Sequence, residues 1–354
     1  MINIKKSLFS IILSAFIIGC GGGSGSSNGN TAQINLTNKV TLSDDIATGS
    51  NYIDSNSNLY LGLKNNEIDV YKFLNDGNLS FTTSITVVNG IDRYTHIKVQ
   101  NNELYVIGDN NGINIYDISN ITSPQLLIHN NNYYNKSDSW SNPQEKFIVK
   151  DNYIMGTFNN KFMTLEINDS DIISDYSYGS DYDDYEQISV GSDVNNSFLF
   201  NQDSNGLNIF DINDPKSPVK LSSILNIHFK KYTVLNNEFL IGITNEGVGN
   251  PDKIEVINIS DKNNPFVENT LINTHGNGSF SDYFIDNGYM YVLSNYASID
   301  YLDIYDINDL QNIKLLKSYE IKGYNTPPVR IFEHNNYIYL FGADNNIFYF
   351  KKPF

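Results

Sequence analysis

One octet of this chain is written three times with small changes. Ile113-Asn114-Ile115-Tyr116-Asp117-Ile118-Ser119-Asn120 returns as Leu207-Asn208-Ile209-Phe210-Asp211-Ile212-Asn213-Asp214, and again as Leu302-Asp303-Ile304-Tyr305-Asp306-Ile307-Asn308-Asp309. Around the first copy the chain breaks into four short apolar runs, His96 to Val99, Leu104 to Ile107, Ile113 to Ile118 and Gln125 to Ile128, with Asn101-Asn102, Asp109 to Gly112 and Pro124 between them. Asn, Gly and Pro between β-forming runs are the marks of antiparallel hairpins. Counterparts of the second run lie at Leu59-Tyr60-Leu61, Tyr153-Ile154-Met155, Phe198-Leu199-Phe200, Phe239-Leu240-Ile241, Met290 to Leu293 and Tyr337 to Leu340, so the unit occurs seven times. A period of about 40 to 50 residues built only from strands predicts an all-β fold, a seven-bladed β-propeller of four-stranded antiparallel blades.

The second runs are apolar on consecutive residues, which requires cover on both faces of the sheet. Blades stacked between two neighbours provide it; a β-sandwich or a solenoid is the alternative arrangement. No helical period of useful length interrupts the strands. The last unit runs through Val329 to Phe332, Tyr337 to Phe341 and Ile347 to Phe350 and then stops one strand short. An unassigned stretch, Ala32 to Leu36 and Val40 to Leu42, precedes the first full unit. The expectation is that this N-terminal stretch supplies the outer strand of the last blade and latches the ring, leaving no edge unpaired there.

Lys5 and Lys6 precede an apolar run from Leu8 to Ile18 that is too short to span a bilayer and has the order of a secretory signal. The run ends on Ile17-Ile18-Gly19-Cys20, which resembles the bacterial lipoprotein signal. The resemblance implies cleavage after residue 19, lipidation of Cys20 and, with Gly21 following, the outer membrane, on its periplasmic or cell-surface side. Cys20 is the one cysteine of the chain, so it cannot close an internal disulfide. Residues 20–31, nearly all Gly, Ser and Asn after the cysteine, read as a flexible tether with a reach of about 15 to 20 Å. Residues 32–354 then form the propeller. With 40% hydrophobic and 13% aromatic residues the chain can bury a large core. Its formal charge of −17 argues against nucleic acid and anionic head groups as general partners.

The third runs and the turns after them carry a further likeness. Tyr116-Asp117-Ile118-Ser119-Asn120 with Ser123-Pro124, Phe210-Asp211-Ile212-Asn213-Asp214 with Ser217-Pro218, Ile257-Asn258-Ile259-Ser260-Asp261 with Asn264-Pro265, and Tyr305-Asp306-Ile307-Asn308-Asp309 resemble the LVIVD repeat of bacterial surface proteins. Leu165-Glu166-Ile167-Asn168-Asp169 and Val70-Tyr71-Lys72-Phe73-Leu74 depart from it. The resemblance implies a β-propeller in an exported protein and implies no common reaction.

Candidate chemistry is sparse. Asp117, Asp211 and Asp306 occupy one equivalent place before a tight turn, where an Asp side chain accepts hydrogen bonds from its own turn. The acidic run between the third and fourth blades, with Asp181, Asp183, Asp184 and Glu186, is either a solvated loop or a set of oxygen donors for calcium, though it lacks the twelve-residue calcium-loop pattern. The five histidines are scattered with no paired spacing for zinc. There is no Gly-x-Ser-x-Gly elbow between a strand and a helix, since the string Gly25 to Gly29 lies in the tether, and no phosphate loop.

A propeller offers the face where blade connections and second-to-third-strand turns converge, and long connections there are the places to look. The longest, His129 to Lys146, holds Tyr133, Tyr134 and Trp140, the sole tryptophan, among Asn and Ser, a composition suited to recognition or to stacking on sugar rings, and equally to capping the central opening. Arg93, His275, Ser279 to Asp282 and the turn 245–250 fall on the same face. Arg93 and Arg330, the chain's two arginines, each lie near the start of an inner strand and suit an anion, a carboxylate or a local ion pair. The sequence thus points to a monomeric, lipid-anchored propeller that binds an envelope protein or a carbohydrate and needs no cofactor, with calcium at the acidic run as the one candidate ion. The alternative is an envelope hydrolase or lyase acting on polysaccharide or a lactone, which would need carboxylates and a histidine brought together on the loop face.

Overall fold

The Asn pairs do what their chemistry permits. Asn101-Asn102, Asn236-Asn237 and Asn335-Asn336 all have positive φ, the conformation of two-residue hairpin turns that match the twist of the flanking strands. The computed structural model describes residues 32–353 apart from 92–94, 109–111, 134–146, 160, 169–170, 179–189, 193–196, 204, 245–250, 276–277 and 343.

Two short strands, β1 (Ala32–Asn35) and β2 (Lys39–Thr41), come first. Blade 1 follows as β3 (Ile46–Ile53), β4 (Asn58–Leu63), β5 (Glu67–Phe73) and β6 (Leu79–Thr86), and blade 2 as β7 (His96–Gln100), β8 (Glu103–Gly108), β9 (Gly112–Asp117) and β10 (Gln125–Asn130). Blade 3 is β11 (Phe147–Lys150), β12 (Tyr153–Phe158), β13 (Lys161–Ile167) and β14 (Ile172–Tyr178); blade 4 is β15 (Val190–Ser192), β16 (Phe198–Asp203), β17 (Gly206–Asp211) and β18 (Val219–Leu225). Blade 5 comprises β19 (Phe229–Leu235), β20 (Phe239–Thr244), β21 (Lys253–Asn258) and β22 (Phe266–Ile272), and blade 6 β23 (Ser279–Asp286), β24 (Tyr289–Tyr296), β25 (Ile299–Asp306) and β26 (Lys314–Lys322). Blade 7 has β27 (Arg330–His334), β28 (Tyr337–Phe341) and β29 (Asn346–Lys351). Within each blade, consecutive strands pair antiparallel.

First strands of neighbouring blades approach one another, as β3 does β7, β15 does β19 and β23 does β27, so these strands line the inside of the ring. The core is divided among the blade interfaces. Seven apolar clusters form, each from two adjacent blades, and one of them joins Leu59, Leu61 and Leu63 of blade 1 to Tyr339, Phe341 and Ile347 of blade 7. That last cluster closes the ring. The consecutive burial of the second strands is thereby explained, since each is covered by a neighbour on either side.

The fourth strands lie at the outer rim, β26 partly covered by β1, and six of them are bulged the same way. β6, β10, β14, β18, β22 and β26 each carry a register shift against the third strand close to the turn that joins them. A bulge of this kind interrupts the row of backbone groups that another chain could pair with.

The latch is as expected in one strand and different in the other. β2 pairs antiparallel with β29, Val40 opposite Ile347, and supplies the missing fourth strand of blade 7. β1, expected in the same blade, instead pairs parallel with β26 as a fifth strand of blade 6, Ala32 opposite Tyr319 and Asn35 opposite Lys322. The reason lies in the two leucines. Leu36, whose N–H donates to Lys322 O at 2.7 Å, fills the cluster between blades 6 and 7, whereas Leu42 fills the one between blades 7 and 1. One strand cannot place both, so the chain crosses from blade to blade between them.

Candidate functional site

The repeated aspartates are turn residues. Asp117 Oδ1 accepts from Ser119 N at 2.8 Å, Asp211 Oδ1 from Asn213 N at 2.8 Å and Asp306 Oδ1 from Asn308 N at 3.0 Å, and Asn258 does the same for Ser260 N at 3.1 Å. These hydrogen bonds to the ionised form hold the Asp117 and Asp306 carboxyls below the usual range. The second acid or amide of each repeat caps the next bend in the same manner, Asp214 for Lys216 N and Asp309 for Gln311 N. Conspicuous as they are in the sequence, these side chains are committed to the backbone beside them.

Three of the residues singled out on the loop face also brace the fold. His129 Nδ1 donates to Asn114 Oδ1 at 2.8 Å across β9 and β10 of blade 2. Tyr133 donates its hydroxyl to Asp175 Oδ2 at 2.5 Å and so links the end of blade 2 to β14 of blade 3. Burial first, and that carboxylate next, push its phenol up to about 12. His275, just ahead of blade 6, donates from Nε2 to Asp303 at 3.0 Å, stacks on Tyr301 at 4.1 Å and shares Asp303 with the Ser294 hydroxyl at 2.6 Å. Asp303 is fully buried, so this pair anchors a blade connection to the third strand.

Blades 2 and 6 are not neighbours in a ring of seven, so His129 and His275 stay apart, and His228 lies in a third place between β18 and β19. These three histidines do not meet one another, and among them His275 is the one bonded to a carboxylate, that of Asp303. No group of three or more His, Cys, Asp or Glu side chains close enough to hold a metal ion exists among the described residues. Cys20, Arg93, Tyr134, Trp140, Asp181, Asp183, Asp184 and Glu186 lie outside the described residues.

A charged network lies at the start of the inner strands of blades 5 to 7. Asp282 is its hub and is 2% exposed. Its Oδ1 accepts from Lys231 Nζ at 2.7 Å and from Tyr283 N at 2.8 Å, and its Oδ2 accepts from Ile331 N at 3.0 Å. One carboxylate thus ties β19, β23 and β27 together. Arg330, 3% exposed, sits beside it; burial lowers the guanidinium pKa and the charge of Asp282 opposes that fall.

A second pair repeats the motif one step away. Lys230 Nζ lies 2.5 Å from Asp252 Oδ2 and also donates to Phe280 O at 3.1 Å, while Phe280 N donates to Asp252 Oδ2 at 2.8 Å. Two adjacent lysines would normally point to opposite sides of a strand. The register shift between Phe229 and Lys231 re-aims them, so that both reach blade 6. Among these five groups three cations face two carboxylates, an excess of positive charge in a chain of −17. Sequence reading placed Asp282 on this face and missed the lysines. Their signal was the pair Lys230-Lys231 inside a strand that a propeller must turn toward its own axis.

The irregular connection is attached to the same face. β10 ends at Asn130, opposite Ile113 at the start of β9, and the chain resumes as β11 at Phe147. The two described ends of this connection, Asn130 and Phe147, therefore both lie on the side where second-to-third-strand turns lie.

Among solved structures the chain is similar to BamB from Moraxella catarrhalis, with 13% identity and a TM-score of 0.55 over 86% of this chain and 83% of that one. It is likewise similar to the WD40 β-propeller domain of Doa1, with 11% identity and a TM-score of 0.55 over 89% of this chain and 95% of that one. No family model and no curated protein matches the sequence. At such identities the likeness is one of fold, the β-propeller, and the count of seven blades is that of this chain's own sheets.

Proposed function

We propose that the protein is a lipid-anchored β-propeller of the bacterial cell envelope, built from LVIVD-like repeats, that binds an envelope protein or a carbohydrate through its loop face. The observation that carries the reading is the division of labour among side chains. The repeated aspartates, His129, Tyr133 and His275 are engaged in turns and blade contacts, while the charged hub at Asp282 fixes three blades around the face from which the Trp140 connection springs. A rigid scaffold presenting an irregular aromatic and polar loop is the arrangement recognition surfaces use.

In this reading residues 1–19 are the lipoprotein signal, Cys20 bears the lipid, residues 20–31 are the tether and the propeller acts as a monomer on the outer membrane. Lys5, Lys6, the run from Leu8 to Ile18 and Gly19-Cys20 support the anchor. Growth of the expressing bacterium with radiolabelled palmitate tests it. The wild-type chain is expected to take up label and fractionate with membranes, and Cys20→Ala to do neither. Label in both chains, or in neither, contradicts the anchor.

A further inference from the structure

The outer edge of blade 6 is covered over only half its length. β1 pairs with Tyr319 to Lys322, whereas the first half of β26, Lys314 to Ser318, has no strand on its outer side among the described residues. Four consecutive residues there, Lys314, Leu315, Leu316 and Lys317, are exposed, which a strand with one buried face does not show. Leu316 falls in the bulge of β26 and is 47% exposed. The patch continues onto blade 5, where Phe266 and Val267 of β22 are exposed. The two strands are joined through Gln311 and Asn269, which donate to Glu268 and to Leu310 O.

We infer that this rim of blades 5 and 6 rests on the bilayer surface, the leucines and Phe266 entering the boundary between head groups and acyl chains. The inference rests on the lipid anchor proposed above. Its own support is where the chain from Cys20 arrives. Because β1 runs parallel to β26, its N-terminal end points toward the Lys314 end of the edge, and the chain joins at Ala32, opposite Tyr319. Leu316 is three residues farther along, about 10 Å. A tether of Gly, Ser and Asn from residue 21 to 30 has a reach of about 15 to 20 Å, enough to hold this rim against the membrane that carries the lipid.

The composition suits that occupant. Leucines flanked by lysines, with Tyr319 beyond, place apolar groups inward and let ammonium groups reach the head groups. Among the acids, Asp306 pairs across the strands with Lys314 and Glu320 bonds Lys322 at 3.2 Å, while Lys317 Nζ lies 4.9 Å from the Tyr319 ring centre. Contact through the rim would set the ring on edge and leave the loop face open to the side, where a partner can reach it.

The full-length lipidated protein in vesicles of phosphatidylethanolamine and phosphatidylglycerol tests the inference. Acylation consumes the chain's one thiol, so a cysteine placed by Leu316→Cys, Phe266→Cys or Leu126→Cys can carry a single environment-sensitive fluorophore. Lipid-borne nitroxide is expected to quench the label at 316 and 266 several-fold more than at 126, on the outer strand of blade 2, and the emission at 316 and 266 to shift to the blue. Two patch positions keep the test open if one variant misfolds. Equal weak quenching at all three sites on vesicles that carry the protein overturns the rim contact and leaves the anchor standing. Protein that does not float with the vesicles overturns both. Shielding at 316 that disappears on dilution, together with a crosslinked dimer, assigns the edge to a second copy and overturns the inference as well.

Discussion

Deleting residues 31–43 is expected to lower the thermal midpoint by on the order of 10 °C or more. The segment completes blade 7 through β2 and adds β1 to blade 6, and it sends Leu36 and Leu42 into two different interface clusters. Truncating one buried leucine costs about 2 to 5 kcal/mol, and each kcal/mol moves the midpoint of a domain of this size by about 1.5 to 2 °C. Losing the strand also bares the backbone edge of β29, so oligomers or aggregates should accompany the drop. The ring need not spring open. Tyr339 still donates to Gly77 O at 2.9 Å and His334 still stacks on Phe73 at 4.0 Å across the closing interface. Leu42→Ala in the intact chain should reproduce a part of the loss, about 2 to 5 kcal/mol in a denaturant titration. A deletion that melts within a degree or two of the wild type contradicts the latch.

Asp282→Ala should destabilise comparably from a single atom group. Its carboxylate accepts from Lys231, Tyr283 N and Ile331 N, and its removal strands the half-buried ammonium group of Lys231 beside two backbone donors that lose their acceptor. Breaking a buried pair by removing one partner costs about 3 to 5 kcal/mol, most of it from the charge left behind. Asp282→Asn keeps an acceptor and loses the charge, so it should fall between wild type and alanine. Pairing Asp282→Ala with Lys231→Met should cost less than the sum of the two single changes, because the second removes a cation that the first stranded. Chemical denaturation of the four chains measures this. A loss under about 0.5 kcal/mol for Asp282→Ala would mean that solvent screens the network despite its burial.

How far the molecule could be read from its residues depends on what a pattern encodes. The octet, the Asn-Asn turns and the apolar second strands encode local geometry and two-sided burial, and these lead to seven blades, with a β-sandwich or a solenoid as the alternative. The aspartates of the octet were readable as turn residues for the same reason, since an Asx turn is local. Which blade a three- or four-residue strand joins is not local. Ala32 to Leu42 looks like one interrupted strand, and only the separate pockets for Leu36 and Leu42 show that it serves two blades.

The loop face was legible in outline and not in detail. Asp282, Arg330, His129, Tyr133 and His275 were recognisable as polar residues at connections, yet their partners are distant in sequence. Asp282 meets Lys231 across 51 positions and Ile331 across 49. Lys230 and Lys231 resemble any exposed pair until the bulge turns both toward blade 6. Partners at such separations follow from closure of the ring, which no window of sequence contains.

The claim at the centre of the account is that the repeat builds the scaffold and the irregular loop does the binding. Affinity capture from detergent-solubilised envelopes of the protein's own cell tests it most directly, with wild type, Trp140→Ala and Asp211→Ala compared at equal amounts and their melting curves recorded. The prediction is that Trp140→Ala melts as the wild type does but loses the captured protein or glycan, whereas Asp211→Ala melts slightly lower and retains it. Capture unchanged by Trp140→Ala, or abolished by Asp211→Ala in a folded chain, would contradict it.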